Sequence, residues 1–107
     1  VARTALLTAG LGEPKTVARV EVKRIDMAPG VASGRHLHPC PVVGVVLEGS
    51  VHFQVEGEAP RVLRAGDAFF EPAHAHIAHF DAQEQGAAFL AHYLLGEGES
   101  ELLRRLE

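Results

Sequence analysis

Gly30-Val-Ala-Ser-Gly-Arg-His36-Leu-His38-Pro-Cys-Pro-Val42-Val-Gly-Val-Val-Leu-Glu-Gly49 is the stretch on which the fold turns. Val42 to Leu47 is a continuous apolar run broken only by Gly44, as in a strand covered on both faces. Glu48-Gly49 reads as a turn. Beyond it Val51, Phe53 and Val55 alternate with Ser50, His52, Gln54 and Glu56, the period of a strand with one wet face, so His52 should point outward. The pattern spreads in both directions. Upstream, Val20, Val22 and Ile25 alternate with Glu21, Lys23 and Arg24, so the valines should be the buried side; downstream, Phe89 to Leu95 is a second continuous apolar run. Ala28-Pro-Gly30, Glu56-Gly-Glu58, Ala65-Gly-Asp67, Glu71-Pro72 and Gln85-Gly86 punctuate these segments as turns. Strands at this spacing predict an all-β sandwich or small barrel. Only the tail breaks the pattern: Ser100 as an N-cap before Glu101 to Glu107, with Leu102, Leu103 and Leu106 as a stripe, predicts a short C-terminal helix.

A length of 107 residues suits one domain over 1–107. Hydrophobic residues make up 47% and charged residues 22%, a globular and not a disordered composition. The net charge of −4, with no clustering of Lys or Arg, argues against nucleic acid as a partner. No apolar run approaches the roughly 20 residues needed to span a bilayer, so the chain reads as soluble. A sequence beginning at Val1 leaves cytoplasmic and exported placement equally open. The lone Cys40 cannot close an intramolecular disulfide and is expected to be a packed residue.

Seven histidines are the compositional anomaly. In an extended segment His36 and His38 lie on one face about 6.6 Å apart, so both imidazoles can converge on one ion. Two ligands hold a metal poorly. Further candidates crowd downstream at His74, His76 and His79, with His92 on the last apolar run.

The order of these features is similar to that of the cupin superfamily. Gly30-x5-His36-x-His38 followed by Val45-Val-Leu-Glu-Gly49 resembles its first motif, G-x5-H-x-H-x3-4-E-x6-G, and Gly66-Asp67 through Pro72 to Asp81 resembles its second, G-x5-P-x-G-x2-H-x3-N. The resemblance covers Gly30 to Asp81 and implies a cupin-type β-barrel (a double-stranded β-helix, jelly-roll-like). It also implies a divalent metal held by the two histidines and the glutamate of the first motif with the histidine of the second. His36 and His38 match. Val42 or Val43 occupies the glutamate position, and that ligand is lost. Without a gap, Ile77 falls on the histidine position and Ile77, His79 and Asp81 face inward; with a one-residue deletion, His76, Ala78 and Phe80 do. The metal candidates are therefore His36 and His38 with His76 or His79, and the ion would be Fe, Mn, Ni, Zn or Cu.

No GxSxG, P-loop or GxGxxG is present. Glu71, in a turn before Pro72, ranks low as an acid or base because acidic turn residues are usually solvated. Two functions fit: a cupin whose histidine-lined pocket holds a divalent metal and a small molecule, with no particular reaction indicated, or a metal-free small-molecule binding or sensing cupin whose lost ligands have become apolar lining. Val17 to Ile25 is the candidate edge for a homodimer.

Overall fold

The computed structural model describes residues 1–106. It is all-β: β1 (Arg19–Met27), β2 (His36–Leu37), β3 (Val42–Val55), β4 (Arg61–Arg64), β5 (Ala68–Glu71), β6 (Ile77–Leu95) and β7 (Arg104–Arg105). Every pairing is antiparallel. The two long strands β3 and β6 run against each other, β4 and β5 pair with β3, and β1 and β2 pair with β6, with β7 added to β2.

Alternation along β3 puts Val42, Gly44 and Val46 inside, then Val51, Phe53 and Val55; the change of phase occurs at irregularities between Val46 and Val51. Such bulges bend a strand and re-aim its side chains. Gly49, at φ 73°, is required there, because a Cβ would collide with the backbone of Gly86 across the pair. Inside the bend Phe69 meets Phe53, Phe80 and Phe89 at ring-centroid distances of 5.8, 5.1 and 5.9 Å. Gly44 makes room for this cluster, since a side chain there would strike the Phe69 ring.

Four expectations need correction. The tail is not helical up to Leu106, Glu107 lying outside the described residues: His36 pairs with Arg105 and Leu37 with Arg104, and Leu106 N donates to Arg35 O at 3.0 Å. A seven-residue helix is marginal alone, so a tail with a sheet edge within reach extends along it. Val20 and Val22 are the outward residues of β1, at 52% and 55% exposure, while Ile25 and Met27 pack on the core. Three charged neighbours outnumber the apolar signal here, and pairing of Val22 with His92 and Ile25 with Phe89 sets the inner face. The two apolar runs are not fully covered: Val43, Val45, Leu90 and Leu94 are only half-buried on the outer side. Finally, neither register proposed for the second motif holds throughout. Val55 pairs with Ile77 but Gln54 with His79, so Ala78 is an extra residue, Ile77 and Phe80 both point inward, and His79 and Asp81 point outward.

Candidate metal centre

His36 and His38 enter the barrel from β2 and the turn after it, and are 3% and 4% exposed. Their rings sit edge to face, 5.0 Å apart. The third member is Glu71, at the end of β5 and 4% exposed; one ligand atom from each of the three lies within 4.8 Å of the others. Glu71 pairs directly with Val42. A buried carboxylate thus stands on the neighbouring strand directly opposite Val42.

Hydrogen bonding fixes which nitrogens face the centre. His36 Nδ1 lies 2.8 Å from Gly34 O, and His38 Nδ1 lies 2.7 Å from Leu102 O. A carbonyl oxygen only accepts, so each Nδ1 carries a hydrogen and donates it, and a ring in its neutral form then has its lone pair on Nε2. Backbone carbonyls orient metal-binding histidines in this way. Nε2 of His38 is 3.0 Å from Glu71 Oε1 but makes no well-formed hydrogen bond, and Glu71 Oε2 is buried with no partner. With His38 neutral, two acceptors face each other there, an arrangement that calls for a proton or a cation between them. Burial pushes the His38 pKa down, yet the Glu71 carboxylate and the Leu102 carbonyl outweigh it and hold the pKa above its ordinary value.

The cavity beside these groups has a volume of about 140 Å³. Ile25, Met27, Val42, Phe80, Phe89, Ala91 and Leu103 make its wall apolar. Tyr93 brings a phenol whose pKa is raised, first by burial and then by the charge of Glu71.

The other predicted ligands do not reach the cavity. Side chains of His76 and His79 are 46% and 47% exposed, because Ile77 takes the inward position and the bulge at Ala78 turns His79 out. His74 is an exposed turn residue at φ 66°, and His92 lies on the outer side of β6 with Nδ1 2.9 Å from Val43 O. Cys40 is buried in the core with its thiol pKa pushed up by burial, as expected of a packed residue. Glu71 is the residue that sequence reasoning undervalued. Its signal was present in Ala68-Phe-Phe-Glu71: if Phe69 faces the core, period-two alternation carries Glu71 in beside it.

Residues 23–93 match the profile of the cupin domain, and the chain belongs to this family. A cupin-domain-containing oxidoreductase of Neurospora crassa, srdB, is 33% identical over 69 residues, which cover 64% of this chain and 35% of that protein. Among solved structures, a DMSP lyase from Ruegeria pomeroyi superposes with a TM-score of 0.70 at 22% identity, covering 80% of this chain and 42% of the lyase. Oxalate oxidase in complex with the substrate analogue glycolate gives a TM-score of 0.63 at 26% identity, over 70% of this chain and 41% of the oxidase. The chain therefore spans about a third of the curated relative and about two fifths of each of these structures. No helix is long and apolar enough to cross a membrane among the described residues.

Proposed function

We propose that this cupin domain binds one divalent transition ion through Nε2 of His36, Nε2 of His38 and the Glu71 carboxylate. The carrying observation is the convergence of one ligand atom each from the buried His36, His38 and Glu71 within 4.8 Å of one another. Two imidazoles and a carboxylate suit Fe, Mn, Ni, Zn or Cu, and three protein ligands leave coordination positions open. A bound ion would supply Lewis acidity toward a ligand oxygen. The chain's own contribution is the apolar wall, which excludes water, and the neutral Tyr93 phenol. The cavity suits a small organic molecule with one oxygen-donor group and an apolar remainder. The relationship to oxalate oxidase, which binds the substrate analogue glycolate, supports a small carboxylate.

A second reading, metal-free ligand binding, rests on the fact that one proton between His38 and Glu71 satisfies both. Metal analysis of the untagged chain separates the two readings: Glu71→Ala and His38→Ala should each remove one equivalent of ion. Unchanged metal content in both variants, or no ion in the parent after growth with supplemented metals, overturns the metal reading.

The outward Val20 and Val22, with Leu94 opposite Val20, support a second copy of the chain as the partner that covers this face. The outer edge of β1 has no strand partner among the described residues, so pairing there is open as well. Sedimentation at micromolar concentration tests this, and a monomer refutes it.

A further inference from the structure

We infer that the outer face of the barrel carries a second site for a transition-metal ion, formed by His52, His79 and Asp81 and independent of the buried centre. One ligand atom from each lies within 4.8 Å of the others. Three features of the fold make this more than a chance meeting of exposed side chains. His52 and Asp81 are directly opposed partners on β3 and β6, and His79 is two residues from Asp81 on the same face. The bulge at Ala78 is what turns His79 and Asp81 outward to join His52. The carboxylate is also held in place: Ser33 N donates to Asp81 Oδ1 at 3.3 Å, and Oδ2 faces both rings, 2.8 Å from His79 Nδ1 and 4.0 Å from His52 Nδ1.

The two imidazoles lie 4.9 Å apart and 32° from parallel. An ion with bonds of about 2.1 Å in tetrahedral geometry needs donors about 3.4 Å apart. The present separations bracket that distance, so side-chain rotation on a rigid pair of strands would close the site. Two imidazoles and one carboxylate select borderline ions such as Zn²⁺, Ni²⁺, Co²⁺ or Cu²⁺ over Mg²⁺ and Ca²⁺, whose preferred ligands are all oxygen. The site opens to solvent, so its remaining positions are available to water or to a donor from another molecule.

The test uses the untagged full chain and Ni²⁺ as the probe. In a His36→Gln/His38→Gln variant, calorimetric titration should still find one ion per chain. Adding His52→Gln or His79→Gln should weaken it by at least about 10-fold, more than the loss of a supporting residue at the weak end of its range. Because the buried double variant could unfold, paramagnetic Ni²⁺ is also titrated into the parent protein. The ring-proton NMR signals of His52 and His79 should broaden by the second equivalent of ion, while those of exposed His74 and His76 stay sharp. Absence of binding in a folded buried-site variant, equal affinity after loss of His52 or His79, or uniform broadening of all exposed histidines overturns the inference. Failure of the buried centre alone would leave the His52 and His79 signals responsive, so the two sites are judged separately.

Discussion

Replacing Glu71 by Gln in the metal-free protein should raise its stability while weakening its hold on metal. With the imidazoles in their neutral form, the His38 Nε2 lone pair faces a carboxylate oxygen at 3.0 Å with the second oxygen unpartnered. A glutamine of nearly the same shape turns its amide NH₂ toward Nε2 and removes a buried charge. Leaving a buried polar group unsatisfied costs about 1–3 kcal/mol, so the variant should gain on that order. For a domain of this size each kcal/mol moves Tm by roughly 4–8 °C. Differential scanning fluorimetry of chelator-treated protein at pH 9 should therefore show Glu71→Gln melting several degrees above the parent. With Zn²⁺ added, the parent should gain stability through binding to the folded state and the variant should gain much less. A residue kept only for structure would behave oppositely. If Glu71→Gln lowers Tm in the metal-free protein, or if Zn²⁺ stabilises both chains equally, the account of three converging ligand groups is wrong.

Further outcomes follow from other parts of the fold. Ending the chain at Ser100 removes the Leu102 carbonyl that orients His38, and should weaken metal binding by about 10–100-fold as measured by competition with a chromophoric chelator. Phe69→Ala empties the centre of the aromatic cluster from a fully buried position and should cost about 3–5 kcal/mol in urea unfolding, whereas Phe70→Ala on the outer side should cost far less. Val22→Glu should shift sedimentation toward monomer with the fold intact by circular dichroism. Lys15 and the Gly96 amide lower the Glu99 pKa below its ordinary value of 4.5. That contribution is present above pH 4.5 and is lost as pH falls through the lowered value, so acid should loosen the segment at Lys15. Amide exchange there should rise on acidification relative to its intrinsic rate in the parent, and should already be high in Glu99→Gln at neutral pH.

The family, the all-β class and the pairing of His36 with His38 were legible because each depends on local regularities: period-two alternation, turn residues, and an i, i+2 spacing that survives any strand placement. His52 was legible as outward for the same reason. Expectations that depended on what lay beside a segment fared worse. The Ser100 to Leu106 stretch has helical periodicity, but a free edge at β2 decided its conformation. Val20 and Val22 look like core residues until β1 is laid against β6.

At the centre, the residues of the first motif determined by themselves that two imidazoles share a face. Only the tertiary structure decided their third companion. One extra residue at Ala78 sends His79 to the outside, and the antiparallel register of β5 with β3 brings Glu71 opposite Val42. A bulge and a register are relations between strands, and cross-strand distance does not appear in a sequence pattern. That is why the chain declares its histidine pair locally, while the carboxylate beside it emerges from folding.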